Sequence, residues 1–487
     1  MCTDFEEMSL VIWTIGSRLF IFLFVLFFMR QADHLHLDPR EPPLPKPTIP
    51  IIGHVKFYVI FSPNLAQSAF RNRFLTLERF NIQAATGLVG ISAKGKHALE
   101  HGTLLQDFYR QVPLAMSTEQ LSKMTSTALS TLSLDLGRLA AGSHDHEHLV
   151  PDLYGFLRQR LVLATTGGLY GANANPLRSD PSLADDVCLI IFGKPNRTFD
   201  EAMFRLFFNI APELTAPAGH QARKRLQKVL ISYFRDHPDN DAFPSDAAEL
   251  TRMRARIIRA AGLCDVDLGS MEIGMVHAAV ANTAPILFWL VVNVFSRPQV
   301  LASLRAEVEK LVEFDTPADS SSQQPARRAV LRASQVTDQS LCPYTAAIHR
   351  EVLRLCVSVT STRFVDQDTT LPDGTLLKAG AIVHLPSAVA HRLPEGTAKT
   401  MNDTTKAYWP FGGGKHLCPG RKFAFTKNIT FVAALAVGFD IEGLDEKSVP
   451  RCPIANLAGQ GVAKLENAVR VTVRRRRGWE PRSALNY

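Results

Sequence analysis

Apolar residues recur at helical spacing from about residue 60 to residue 310, and few segments there alternate with the period of two that is typical of strands. Within this region, residues 271–294 form a long apolar run that predicts a buried helix. Alternating segments appear later, at residues 362–365, 369–377 and 378–386, where Asp-Gly and Ala-Gly pairs predict turns between short strands. The pattern therefore predicts a mainly α protein with a minor β region.

The N-terminal pattern differs from that of the body. Residues 8–29 are apolar over about the twenty positions that a helix needs to cross a bilayer, with Arg18 as the interruption. Because a charge at the bilayer centre is costly, both a spanning helix and a helix lying on the surface are open. Acidic residues precede the run and Arg30 follows it, which places the body on the cytosolic side. No basic region precedes the run, unlike in a cleaved signal peptide.

A proline-rich stretch follows this apolar segment. Five prolines between residues 42 and 50 favour a stiff, extended chain. We therefore expect a membrane anchor at residues 1–30, a hinge at residues 31–55 and a catalytic domain at residues 56–487; a plain linker is the alternative for the hinge. The chain has 487 residues, which suits one large helical domain and also permits three ordinary ones.

Cysteine usage separates one thiol from the others. The chain has seven cysteines without paired spacing, which argues against a secreted disulfide framework and favours reduced thiols. Cys418 alone lies in a glycine-rich setting, between the three glycines 412–414 and Gly420. Glycine lets the backbone fold closely over a flat ligand, and N–H groups at the start of a helix after Pro419 would lower the thiol pKa. These features indicate a thiolate that binds a metal.

This loop resembles a known one. The pattern F-x-x-G-x-x-x-C-x-G, filled by Phe411, Gly414, Cys418 and Gly420, is similar to the haem-binding loop of the cytochrome P450 monooxygenases. The resemblance implies that Cys418 ligates the iron of haem (iron protoporphyrin), within a cytochrome P450 fold preceded by an N-terminal membrane anchor. A thiolate ligand favours O–O cleavage. A glycine-rich turn with an incidental thiol is the alternative.

A second resemblance lies in the long apolar run. Residues 279–283 resemble the family's oxygen-activation motif A-G-x-D/E-T, which implies that Thr283 helps to deliver protons to oxygen and that Asn282 orients water. Pro285 would open the helix there. Asn282 departs from the usual acid, as in the branch that contains sterol 7α-hydroxylases and prostacyclin synthase. The alternative is a polar pair in a buried helix, with Thr283 bonded to a backbone carbonyl.

Further positions match the family motif by motif. Glu351 and Arg354 fill E-x-x-R, which implies a buried ion pair that supports the haem-side loop; a solvated surface pair is the alternative. Arg363 and His416 match residues that bond the haem propionates, with surface or capping roles as the alternatives. Near Arg110 the family usually has W-x-x-x-R, but no tryptophan is present, so that propionate contact is unassigned.

The clearest departure is the short stretch at residues 392–408. The family normally has an aromatic-Arg element here that locks against E-x-x-R, and this chain lacks it. Either the pair is satisfied by other groups, or the protein is a shortened, misspliced or weakly stable variant, which we expect to retain haem poorly.

The resemblance implies a monooxygenase that inserts one oxygen atom from O2 into an apolar terpenoid, sterol-like or other secondary-metabolite substrate. Electrons would come from NADPH through a flavoprotein reductase, NADPH–cytochrome P450 reductase, at the endoplasmic reticulum membrane. A net charge of +8 suits an acidic redox partner or anionic membrane lipid, and no motif supports nucleic-acid binding. Two alternatives are a haem-thiolate isomerase that acts on a peroxide without a reductase and a haem-binding but inactive protein.

Overall fold

The structure is a computed structural model that describes residues 38–41, 57–141, 147–180, 182–192, 206–207, 209, 211–315, 328–393, 406–447, 452, 461–462, 467–476 and 484–486. The expected anchor at residues 1–30 and most of the expected hinge at residues 31–55 lie outside this part of the chain. So does most of the short stretch at residues 392–408.

Helices make up most of the described chain, which confirms the mainly α prediction. In chain order they are α1 (Pro63–Arg71), α2 (Glu78–Ala84), α3 (Ala93–His101), α4 (Leu104–Ala115), α5 (Thr118–Ala141), α6 (Leu153–Tyr170), α7 (Leu183–Phe192), α8 (Pro212–Thr215), α9 (Pro217–Asp236), α10 (Glu249–Ala260), α11 (Asp265–Val280), α12 (Thr283–Phe295), α13 (Pro298–Val308), α14 (Ala333–Val336), α15 (Pro343–Cys356), α16 (Ser387–Ala390) and α17 (Arg421–Gly438). One turn of π-helix, Ala85–Val89, follows α2.

The strands are short. They are β1 (Phe57–Val59), β2 (Leu75–Thr76), β3 (Glu147–Val150), β4 (Glu313–Asp315), β5 (Arg328–Arg332), β6 (Thr360–Val365), β7 (Thr369–Thr370), β8 (Leu376–Leu377), β9 (Ile382–Pro386), β10 (Phe439–Glu442), β11 (Val471–Arg475) and β12 (Ala484–Asn486). The alternating segments predicted between residues 362 and 386 form β6 to β9, and buried residues alternate along β6 and β9.

The chain divides into two compact units. The first contains residues 1–77 and 361–385, and the second contains residues 78–360 and 386–487. The sheet associated with the first has the order β1-β9-β6-β2, in which β1 pairs parallel with β9 and β2 pairs antiparallel with β6. The second unit contains α2 to α17 and two three-stranded sheets, ordered β10-β11-β3 and β12-β5-β4.

The core of the second unit forms around α12 and α17. Residues 286–292 of α12 are almost fully buried, as are most residues of α17 from Ile429 to Val437, and both belong to one apolar cluster. The segment from Asp265 to Phe295 is long and apolar enough to cross a membrane, but 72% of its most apolar window is buried inside the protein. It is therefore a core helix pair, because the apolar side chains are covered by protein.

Candidate functional site

The loop before α17 folds back tightly on itself. The Cys418 N–H donates to the Phe411 carbonyl at 3.1 Å, and the Gly412 N–H donates to the Trp409 carbonyl at 3.1 Å. Gly412 and Gly414 have φ angles of +72° and +63°, the left-handed region that glycine enters without steric cost. Gly412 and the motif glycine Gly414 are therefore required by the backbone path of the loop.

Backbone donors converge on the Cys418 sulfur. The pKa of the thiol is raised above its usual value, because burial outweighs the N–H groups of Gly420 and Arg421 and the charge of Arg421, which lower it. Gly420 has φ −79° and ψ 2° in the turn that leads into α17, and its N–H lies beside the sulfur. These donors offset part of the cost of burying a thiolate at the start of α17.

The donor set around Cys418 fits a haem iron. Among the residues that the structure describes, no three His, Cys, Asp or Glu side chains are grouped so as to hold a metal ion. A metal held at Cys418 therefore needs most of its donors from a non-protein ligand, which a porphyrin supplies.

His416 joins this loop to α4. Its ring meets the Tyr109 ring edge to face, with the centroids 5.6 Å apart, and the Tyr109 hydroxyl accepts a hydrogen bond from the Asn81 amide at 3.0 Å. The neighbouring Arg110 is largely exposed and pairs with Asp107. Tyr109 is thus the α4 residue that contacts the loop, and the sequence offered no signal for it beyond its position beside Arg110.

The long apolar run breaks into α11 and α12 at residues 281–282, as its proline predicts. Pro285 has no N–H to donate to the carbonyl four residues earlier. The Thr283 hydroxyl donates to the Ala279 carbonyl at 2.8 Å, which is the structural alternative considered for this residue. Its oxygen lone pairs can still accept a hydrogen bond from water.

Asn282 packs against a later part of the chain. A Cβ added to Gly461, whose φ is +43°, would lie only 1.9 Å from the Asn282 amide oxygen. The Gly461 carbonyl accepts from the Ser358 N–H at 2.9 Å, and Val462 forms a β-bridge with Val357. Only glycine therefore fits at 461, a requirement that the sequence shows as no more than an Ala-Gly-Gln-Gly run.

The E-x-x-R pair forms but is not buried. Arg354 donates to both Glu351 carboxylate oxygens, at 2.8 and 2.7 Å, while the Glu351 side chain is 53% exposed. The expected buried pair is thus wrong, because Glu351 lies on the side of α15 that faces solvent. Water therefore screens the Coulomb attraction between Glu351 and Arg354. The Arg354 Nη1 donates instead to the His391 carbonyl at 3.1 Å.

His391 connects α15 to the chain that enters the cysteine loop. It is fully buried, and its Nε2 accepts a hydrogen bond from the Trp409 N–H at 3.1 Å. Its ring lies 5.1 Å from that of Tyr408, whose hydroxyl donates to the Arg350 carbonyl at 3.2 Å. Burial lowers the pKa of His391 to about 4, so the imidazole is neutral. These contacts satisfy Arg354 without an aromatic-Arg element.

Arg363 belongs to the first unit. It is buried, its Nη1 donates to the Thr362 carbonyl at 2.8 Å, and its guanidinium lies 5.5 Å from the centre of the Phe70 ring. Its propionate role stays a prediction, as does that of His416.

A cavity of about 400 Å³ lies in the second unit, next to the break in the apolar run. Its walls come from α2 and the π-turn, α3, α4, α10 and α11, and most of the lining side chains are apolar. Gly274, Met275, His277 and Ala278 of α11 line it, immediately before Ala279. Asn81, Arg254 and His277 are the polar residues of the wall. The sequence could not identify these residues, because they come from distant segments.

Comparisons with known proteins identify the family of this chain. The family model described as "Cytochrome P450" matches residues 203–471, more than half of the chain. The "Cytochrome P450 monooxygenase" of Gibberella zeae is 28% identical over 518 residues, covering 94% of this chain and 93% of that protein. The "Cytochrome P450 monooxygenase nodJ" of Hypoxylon pulicicidum is 25% identical, covering 87% of each. The "25-hydroxycholesterol 7-alpha-hydroxylase" of Rattus norvegicus is 25% identical over 46% of this chain and 58% of its own.

Proposed function

Because the chain belongs to the cytochrome P450 family, we propose that it oxidises an apolar terpenoid, sterol-like or other secondary-metabolite substrate at a cytosolic membrane surface. It is a haem-dependent monooxygenase that uses O2 and electrons from NADPH. The observation that carries the proposal is the lone Cys418 sulfur with two backbone N–H groups directed at it.

Cys418 would hold the haem iron, with Phe411, Gly414 and Gly420 shaping the loop. Haem supplies the activation of O2 when it is bound. The Gly420 and Arg421 N–H groups favour the thiolate over the thiol, and the contact between Tyr109 and His416 holds the loop against α4.

Arg363, and His416 within the loop, would bond the haem propionates. Glu351 and Arg354 would support the loop through the His391 carbonyl, rather than through their own burial.

Thr283 and Asn282 would manage protons at the break between α11 and α12. The Thr283 hydroxyl holds its proton toward the Ala279 carbonyl and offers lone pairs to water. Water can donate a proton to the Thr283 oxygen while the hydroxyl gives up its own proton. A proton is thereby relayed through Thr283, which is general-acid catalysis through water. The Asn282 amide cannot titrate, so it orients water rather than supplying the proton.

The substrate class is supported by the cavity and by the relatives. The walls of the cavity are mostly apolar, and the cavity volume of about 400 Å³ falls within the range of small-molecule pockets. The relatives from Gibberella zeae and Hypoxylon pulicicidum are named as monooxygenases, and the relative from Rattus norvegicus is named for 7α-hydroxylation of 25-hydroxycholesterol. An apolar, compact substrate fits both observations.

The membrane and redox partners complete the proposal. Residues 1–30 would anchor the protein in the endoplasmic reticulum membrane, residues 31–55 would form the hinge, and residues 56–487 would form the cytosolic catalytic body. NADPH–cytochrome P450 reductase, a flavoprotein, would supply electrons. The net charge of +8 favours contact with an acidic partner or anionic lipid.

The thiolate assignment is tested by spectroscopy of the purified, full-length protein. After reduction with dithionite and exposure to CO, we expect the red-shifted Soret band of a thiolate-ligated ferrous haem. Cys418→Ala should lose this band, because no other described sulfur lies in the loop. The exposed Cys264 is the matched control, and Cys264→Ala should keep the band. An unshifted band with haem bound would show that Cys418 is not the ligand.

A second candidate is an isomerase that acts on a peroxide without a reductase. It is favoured by Asn282, which replaces a titratable acid, and by the hydrogen bond between Thr283 and Ala279. For the monooxygenase, turnover requires NADPH, reductase and O2, and Thr283→Ala should release peroxide or water instead of product. Product formed from a peroxide under anaerobic conditions without reductase would establish the isomerase.

A further inference from the structure

The cavity beside α11 has one cationic group in its wall. Apolar side chains such as Leu88, Leu105 and Phe108 form most of the lining, and Arg254 of α10 enters from one side. A charged side chain at such a place is costly unless its own hydrogen bonds are satisfied. The partners of Arg254 therefore decide what the cavity can bind.

Arg254 is held in place by a buried carboxylate. Its Nε donates to Glu272 Oε1 at 2.5 Å, and its Nη2 lies 3.4 Å from the Met271 carbonyl. Glu272 is fully buried, and its other oxygen accepts from the Tyr170 hydroxyl at 2.9 Å. The guanidinium also lies 5.0 Å from the centre of the Phe108 ring. The side chain is thus fixed on one edge by α11 and α6.

The opposite edge of the guanidinium is available to a ligand. Nε and Nη2 lie on the edge that faces α11, and Nη1 is the remaining donor of the planar group. In the described part of the chain, Nη1 has no hydrogen-bond acceptor. Since Arg254 lines the cavity, this donor can reach a polar atom of a bound molecule.

The charges of Arg254 and Glu272 determine whether the ligand atom that accepts from Nη1 is neutral or anionic. Glu272 already neutralises Arg254, so a bound carboxylate would leave a net negative charge among apolar side chains. A neutral oxygen acceptor adds no net charge and still satisfies Nη1. A pure hydrocarbon would cover Nη1 without accepting its hydrogen bond. Because a buried donor is then left unsatisfied, the hydrocarbon should bind much more weakly.

We propose that the substrate is an apolar skeleton that already carries a ketone, ester or hydroxyl oxygen, and that Arg254 Nη1 donates a hydrogen bond to this oxygen. The assignment rests on the proposed function, since it treats the cavity as the substrate pocket of the monooxygenase. The oxygenated end lies at α10, and the apolar remainder extends along α11 toward Ala278. The substrate must therefore come from a reaction that has already installed an oxygen function, rather than directly from a hydrocarbon-forming cyclisation.

The test compares three probes that share one skeleton: trans-decalin, trans-2-decalone and trans-decalin-2-carboxylate. Their affinities for the haem-loaded, full-length protein are measured by calorimetry without NADPH or reductase. We expect the ketone to bind roughly tenfold more tightly than the hydrocarbon and also more tightly than the carboxylate. Because no turnover is involved, this result is independent of the test of the thiolate.

Two variants separate the role of Arg254 from general stability. Glu272→Gln keeps the Tyr170 contact and leaves Arg254 with a net charge, so it should shift the preference from the ketone to the carboxylate. The double variant Arg254→Met, Glu272→Gln removes both charges together and should bind ketone and hydrocarbon about equally. Arg256→Met is the matched control on α10, since Arg256 is exposed and pairs with Glu249, and it should keep the ketone preference.

Three outcomes would overturn the inference. Equal binding of decalin and decalone to the unmodified protein would show that Nη1 does not select an oxygen. Tightest binding of the carboxylate to the unmodified protein would show that the site takes anions. A ketone preference that survives in Glu272→Gln without any gain for the carboxylate would assign recognition to another residue, even if the double variant failed to fold.

Discussion

Lys427 is a lysine whose side chain lies in the protein core. It lies on α17, fully buried, with its Nζ 2.5 Å from the Thr165 hydroxyl oxygen and 4.1 Å from the centre of the Phe423 ring. Burial lowers its pKa to about 7. No opposite charge partners it in these contacts, so the charged form costs the folded state free energy. The sequence alone would place a lysine on a surface.

Replacing Lys427 by methionine should therefore stabilise the protein. The ammonium titrates near pH 7 when folded and near 10.4 when unfolded, so the folded state is penalised below that upper value and most strongly below pH 7. We expect Lys427→Met to raise the free energy of unfolding by a few kcal/mol, on the order of 4, at pH 7, with the gain shrinking toward pH 10. Denaturant unfolding at several pH values measures this.

The exposed Lys422 on the same helix provides the control for this measurement. Lys422→Met should change stability little and without the same pH dependence. A Lys427→Met gain that did not vary between pH 7 and 10 would mean that packing, rather than the charge, causes it.

At the scale of elements, α15 and the segment before α17 are joined by a set of contacts different from the predicted one. The pair Glu351–Arg354 is partly solvated, and the His391 carbonyl provides the third contact of the arginine. The His391 side chain then accepts from the Trp409 N–H. The missing aromatic-Arg element suggested that Arg354 would have unsatisfied donors. The Arg354 guanidinium instead donates to the Glu351 carboxylate and to the His391 carbonyl.

His391 should accordingly affect haem retention. His391→Phe preserves an aromatic ring but removes the acceptor, which leaves the buried Trp409 N–H unsatisfied at about 1–3 kcal/mol. We expect a lower melting temperature and faster haem loss to a haem-scavenging protein. His391→Gln, which offers a side-chain oxygen, should recover part of both. Unchanged haem loss in His391→Phe would show that the link between His391 and Trp409 does not support the loop.

At the scale of the whole molecule, buried and half-buried imidazoles give the protein a common response to acid. Burial lowers the pKa of His349, of His391 and of His384 to about 4. The first two lie in the second unit and the last in the first. Because the unfolded chain binds protons near pH 6.5 and the folded groups do not, each favours unfolding as the pH falls.

The contribution of these histidines to stability should thus be constant above about pH 6.5, and the melting temperature should fall between pH 6.5 and 4, with up to about 3 kcal/mol lost for a fully buried histidine. His349 packs against the Phe425 ring, so His349→Leu should flatten this profile. The exposed His97 serves as the control, and His97→Leu should leave the profile unchanged. An acid profile in His349→Leu identical to that of the unmodified protein would exclude His349 as a contributor.

The sequence by itself determined the helical class, the short strands between residues 362 and 386, the break near Pro285 and the loop around Cys418. These depend on local periodicity, on the missing N–H of proline and on the positive φ of Gly412 and Gly414. Only the tertiary structure decided the exposure of Glu351, the link through His391 and the cationic cavity wall at Arg254. Such features depend on contacts between distant segments. No local sequence pattern indicates which faces of these segments pack together or which groups surround a buried charge.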